Sequence, residues 1–231
     1  MVVDNNLTLV QIEPNDIDTD GKCVVPFGVQ CIGKQTFFNC KQLKEIILPS
    51  TIKNIAEEAF AWCAGLHTIN LPNELETIGK RSFWRCDGLT SIVMPDSVTQ
   101  IEPYAFNECK SLQNVYLSPS INILSSGVFN DCVQLQHIAI PNGITVIGQD
   151  TFANCESLEK VELPVSIVYL ADDAFYGCKN LQDVVVPTIV ALNPDAFKEC
   201  SPNLTISAPG PSSATISDAE IDVDFFDDYE R

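Results

Sequence analysis

Apolar and polar positions along the chain keep a beat of 23 residues, far longer than the period of any one helix or strand. Phenylalanine recurs at Phe37, Phe60, Phe83, Phe106, Phe129, Phe152 and Phe175, and a cysteine follows three residues later each time, from Cys40 to Cys178. Phe197 and Cys200 complete both columns after a step of 22. Leucine stands three residues beyond the cysteine from Leu43 to Leu181. Proline recurs at Pro26, Pro49, Pro72, Pro95, Pro141, Pro164 and Pro187, with Ser118 in the remaining slot. Self-similarity at this period marks a stack of units, each too small to own a core.

One unit, Leu43 to Cys63, reads LKEIILPSTIKNIAEEAFAWC. Leu43, Ile46 and Leu48 end in alternation, which predicts a short strand with one buried face. Pro49 has no N–H to give a ladder, so the strand stops there. Ile52 and Ile55 point inward along a second extended side. The stretch from Glu57 to Cys63 predicts one or two helical turns, with Phe60 and Cys63 on one face.

This LxxIxLPxxIxxIxxxAFxxC pattern resembles the BspA-like class of leucine-rich repeats found in bacteria and protozoa, over about Cys23 to Ile206. The resemblance implies an α/β repeat fold: a right-handed solenoid with a parallel, concave β-sheet and short helical turns on the convex side. Ile52, Leu75, Val98, Ile121, Ile144 and Ile167 stand where other leucine-rich repeats carry asparagine, so no asparagine ladder is expected. The expected organisation is an N-terminal cap over 1–22, a solenoid of about eight repeats over 23–206, and an acidic, disordered tail over 207–231.

Charge changes the picture next. Asp+Glu number 31 against Lys+Arg 13, a net charge of −18, which repels polyphosphate and argues against nucleic-acid binding. No run approaches the roughly 18 apolar residues of a membrane span. The opening MVVDNNLTLVQIEPNDID lacks a basic segment and a long apolar core, so a cytoplasmic location is expected, with a cell surface reached without a recognisable signal as the alternative. A straight file of cysteines does not converge as zinc ligands must. Buried free thiols are expected over disulfides, and Cys31, outside the file, is the thiol expected to be exposed and reactive.

Little points to catalysis. His67 and His137 fall in different columns, no GxxxxGK[ST] or GxGxxG occurs, and acidic pairs such as Glu57-Glu58 suit solvent. No enzyme activity, cofactor or metal is expected, and the protein is expected to be a monomer. Binding is the better-supported chemistry. The outward strand column reads Val24, Ile47, Asn70, Val93, Tyr116, Ala139, Glu162 and Val185, an apolar stripe bordered by mostly polar residues, as a protein-binding face tends to be. Strand propensity alone is the competing explanation for its β-branched members. Phe38, Trp62 and Trp84 form a second candidate patch across the body, unless the N-terminal segment folds over them. Phe225, Phe226 and Tyr229, threaded through tail acids, form a third.

These residues together predict a non-enzymatic scaffold or regulator that binds a protein on its concave face. By analogy with intracellular leucine-rich repeats, that partner is a phosphatase or other signalling enzyme. The resemblance to BspA-like proteins implies the alternative, a surface adhesin for host or extracellular matrix proteins.

Overall fold

The computed structural model describes residues 1–187 and 193–208. It is a parallel β-solenoid of about eight coils, and each full coil has three sides. The first side is a strand row: Lys22–Val24, Glu45–Ile47, Thr68–Ile69, Ser91–Val93, Asn114–Tyr116, His137–Ala139, Lys160–Glu162, Asp183–Val185 and Thr205–Ser207. Residues 23 apart pair in parallel, as Asn114 does with both Ser91 and His137. The row is divided between Thr68–Ile69 and Ser91–Val93 into sheets of three and six strands. The second side is a row of two-residue strands from Cys31–Ile32 to Tyr169–Leu170, divided between Gln100–Ile101 and Ile123–Leu124.

The third side departs from the sequence expectation. No helical turn forms between Glu57 and Cys63 or at the equivalent places in the coils up to Cys178; among the described residues the only helical segment on this side, a 3-10 turn, is Pro194–Phe197 in the last coil. A helix uses its amides internally, and this side divides them. The Thr36, Phe38 and Cys40 amides close turns on Gly33, Gln35 and Phe37 of their own coil, while those of Gln35, Phe37 and Asn39 reach Glu57, Ala59 and Ala61 of the next. To aim alternate amides this way, two residues per coil become left-handed. One column runs through Gln35, Glu58, Arg81, Tyr104, Gly127, Asp150 and Asp173, the other through Asn39, Trp62, Arg85, Glu108, Asp131, Asn154 and Gly177, all with φ between 52° and 68°. A non-glycine residue there costs about 1–2 kcal/mol, and the inter-coil bonds offset it.

Phenylalanine and cysteine occupy the interior of this side. The rings of Phe37 to Phe197 stack with centroids 5.0–5.7 Å apart and planes within 16°. The cysteines are free thiols, and from Cys63 onward each Sγ donates to the phenylalanine carbonyl of the preceding coil, at 3.0–3.3 Å. The same cysteine's amide donates to the phenylalanine carbonyl of its own coil, as Cys63 does to Phe60 at 3.1 Å. The thiols therefore act as weak donors as well as small apolar filler. Burial pushes the Cys63 thiol up to about 12 and raises those of Cys86, Cys109, Cys132 and Cys155 as well.

At the N-terminus Thr8–Gln11 pairs with Cys31–Ile32 and buries Leu9 completely, and Val2–Val3 then pairs antiparallel outside it. That reversal ends the parallel pairing at this edge of the row. Ile17 bridges to Cys23 and seals the first row in the same way.

Two outcomes follow from the interior. The Ser82 hydroxyl is buried without a partner, while Thr36 and Thr151 in its column donate to carbonyls and Ala59 and Ala105 carry no polar atom. Ser82→Ala is expected to stabilise the chain by about 1 kcal/mol, read as a raised urea midpoint. Cys31 is half-buried and desolvation raises its thiol, which opposes the reactivity expected of it, whereas Cys200 is shifted the other way. Stabilisation of its thiolate by the neighbouring Cys178 thiol holds the half-buried Cys200 below the ordinary thiol range, and Cys178 is pushed up. Because the thiolate is the nucleophile, limited alkylation at pH 8 is expected to label Cys200 first, scored by peptide mass spectrometry.

Candidate partner-binding face

Alternation along each short strand of the first row sends Ile46, Ile92, Val115, Ile138, Val161 and Val184 into the core. The next residue must then point outward. Val24 is 56% exposed, Ile47 41%, Val93 60% and Tyr116 61%. Asn70, Ala139 and Glu162 are exposed as well, and Val185 is half-buried. Register brings these side chains together in two groups. Val24 lies beside Ile47, and Tyr116 lies between Val93 and Ala139 with Glu162 and Val185 beyond. The sheet division falls between the groups and opens a cavity of about 320 Å³ bordered by His67, Asn70, Asn73, Ser91, Val93 and Pro95.

Charged neighbours of the stripe cluster at its two ends. Lys22 pairs with Glu45 at 2.9 Å in the first coils, and Lys160 with Glu162 at 2.6 Å in the later ones.

The aromatic patch brings together two of its three expected members. Trp62 and Trp84 meet edge to face at 5.3 Å, and the Arg85 guanidinium lies 4.3 Å from the centre of the Trp62 ring. Glu108 ties the group together by accepting from Trp84 Nε1 at 3.2 Å and from Arg85 Nε at 2.7 Å. Desolvation opposes its charge, but these hydrogen bonds outweigh it and hold the carboxyl below its usual range. The cluster is an internally partnered strut along the third side. The N-terminal segment, paired with Cys31–Ile32, does not cover this patch, and Phe38 stays 45% exposed. Phe225, Phe226 and Tyr229 lie outside the described residues.

One feature of the second row escaped the sequence reading. At its division the Ser125 hydroxyl donates to the Ile101 carbonyl at 2.6 Å, the acceptor that the backbone amide takes in other coils, as Gly148 does on Leu124. Beside it lies a groove of about 480 Å³ lined in part by Pro103, Ile123, Leu124, Val146 and Tyr169. The signal was available: the strand column changes from Asn54, Thr77 and Gln100 to Ile123, the buried Val146 and Tyr169.

His67 and His137 stand three coils apart, roughly 14 Å along the row at one strand spacing per coil. Among the described residues no group of three or more His, Cys, Asp or Glu side chains could hold a metal ion, and no helix is long and apolar enough to cross a membrane.

The repeat now has both its sequence columns and its geometry. The family profile described as "BspA type Leucine rich repeat region" matches in six copies, over residues 21–132 and 76–205. The chain belongs to the BspA-type leucine-rich repeat family. Among solved structures, it is similar to the leucine-rich repeat protein of T. pallidum, with 32% identity, 60% of this chain and 64% of that one covered, and a TM-score of 0.58. A leucine-rich repeat protein from Eubacterium ventriosum shares the fold at 19% identity, 84% and 61% coverage and a TM-score of 0.66. The pneumococcal vaccine antigen PcpA does so at 19% identity, 82% and 57% coverage and 0.54. This BspA-type chain thus spans 57–64% of the length of those proteins. A comparison with curated proteins finds no match.

Trp62 and Trp84 are the chain's two tryptophans, so indole emission reports on the strut. A depressed folded-state pKa means the Glu108 contribution is present at neutral pH and is lost as pH falls through that depressed value. Emission is expected to hold through the ordinary carboxylate range and shift below it, and Glu108→Gln is expected to abolish that step.

Proposed function

We propose that this BspA-type repeat protein is a non-enzymatic scaffold that binds a protein partner through the outward face of its first strand row. The observation that carries this reading is the side-by-side exposure of Val93 and Tyr116, 60% and 61%, on strands paired in register. A solenoid needs buried residues between coils to fold, and it needs none outside. A hydrogen-bonded ladder holds the backbone beneath these side chains in place before the partner arrives, which lowers the cost of ordering the face on binding. A Tyr with an apolar neighbour, near the middle of the row, has the composition and position of an interface anchor. The family to which the chain belongs supports the same reading at the level of a repeat protein built for interaction.

The partner is proposed to be a signalling enzyme such as a phosphatase if the protein is cytoplasmic, and an extracellular matrix protein if it is displayed on a cell surface. Labelling of intact cells with an impermeant reagent separates the two settings.

The test compares the full chain, a Val93→Asp/Tyr116→Asp double variant and a chain lacking residues 209–231, each used as bait. Both aspartates replace exposed side chains, so the unfolding free energy read from urea titration is expected to stay within about 0.5 kcal/mol of the parent. Recovery of the specific partner is expected to fall about tenfold or more with the double variant. Full recovery there, with loss only on removing the tail, would place the function in residues 209–231.

A further inference from the structure

The middle of the first strand row is free of charge in a chain whose net charge is −18. Residues 67–70, 90–93, 113–116 and 136–139, one strand segment from each of four successive coils, contain no Asp, Glu, Lys or Arg. The flanking coils behave otherwise, with Lys44 and Glu45 on one side and Glu159, Lys160 and Glu162 on the other. The outward positions in the neutral zone are amides, hydroxyls and imidazoles, together with Val93, Tyr116 and Ala139. Among the described residues only Gln113 of these has a side-chain partner, Gln134 at 3.2 Å. The remaining polar groups face solvent with their donors and acceptors open.

The core of an ordinary protein interface is also poor in charge, but it is rich in aromatics, Met and Arg and poor in Ser. This zone has one aromatic among many Ser, Thr, Asn and Gln. Each carboxamide presents donors and an acceptor side by side, which suits a ligand covered in neighbouring hydroxyl groups. The Tyr116 ring and Val93 supply an apolar platform for the C–H face of a sugar ring, because an aromatic side chain offers a rigid surface with a polar tip. The 320 Å³ cavity at the sheet division adds a recess bordered by uncharged residues, with Asn70, Asn73 and Ser91 at its wall.

From these observations we infer that the central strand face binds an uncharged oligosaccharide, with a sugar ring on Tyr116 and a neighbouring residue in the recess beside Asn70 and Ser91. This rests on the proposed protein-binding reading and refines it in its cell-surface setting: the partner carries the sugar, as an extracellular glycoprotein does. A sialylated or sulfated glycan is the wrong ligand, because the chain's acidity repels it and no cation lies in the zone to pair with it.

The test uses the full chain on an immobilised panel of uncharged oligosaccharides (gluco-, manno-, xylo- and chito-oligomers), with heparin and sialyllactose as charged controls. At least one uncharged member is expected to bind, with an affinity that does not change between about 50 and 500 mM salt, since no ion pair is screened. Tyr116→Ala and Asn70→Ala are each expected to weaken that binding about tenfold at an unchanged urea midpoint. Ile123→Ser, in the second-row groove, is expected to leave it unaltered. No binding to any uncharged member, binding only to the charged controls, or equal binding by Tyr116→Ala would overturn the inference. Enzymatic removal of N- and O-glycans from the partner distinguishes the two claims. Recovery that survives deglycosylation yet is lost in Val93→Asp/Tyr116→Asp removes the sugar and leaves the protein contact standing. Recovery indifferent to the double variant removes the protein-binding reading itself.

Discussion

Every coil must give part of its backbone hydrogen bonding to its neighbour, or the stack has nothing but apolar contact to hold its register. Two sides meet that demand with short parallel strands. The third meets it by alternating the destination of successive amides, one within the coil and one across to the next. Left-handed residues at two positions per coil make the alternation possible, and the phenylalanine carbonyl is its hub. It accepts the cysteine amide of its own coil and the cysteine thiol of the next, as Phe60 does from Cys63 and Cys86. The phenyl rings can stack within 5.7 Å because this ladder fixes coil spacing on their side.

This constraint also explains the column of cysteines. A thiol is small and tolerates burial better than a hydroxyl, yet it can still donate weakly to a carbonyl that already has one partner. Its raised pKa in the middle coils is the electrostatic consequence of being sealed in. At Cys200, in the last described coil, that seal is partial and the chemistry changes.

The candidate surfaces arise where the stack is regular outside and where it fails. On the first row, regular alternation exposes Val93 and Tyr116 next to each other, and the sheet division beside them makes the recess. On the second row, Ser125 gives its side chain to a carbonyl that otherwise receives a backbone amide, and a groove lies beside the interrupted ladder. The Trp62–Trp84–Arg85–Glu108 group shows the opposite case, in which conspicuous surface aromatics partner one another.

The repeat period, the two extended sides, the buried columns and the outward stripe were all legible in the sequence, because each depends on strict alternation or a fixed 23-residue step. Family membership followed from the same columns. The third side was not legible. Its apolar spacing of three suits a helix as well as it suits paired turns, and the left-handed positions carry Gln, Glu, Arg, Tyr, Trp and Asp far more often than glycine. Only contact with the next coil decides between them, since the amides that a helix would use internally are claimed across the stack. The two sheet divisions belong to the same class: they depend on how one coil settles on another, and no single coil's sequence holds that information.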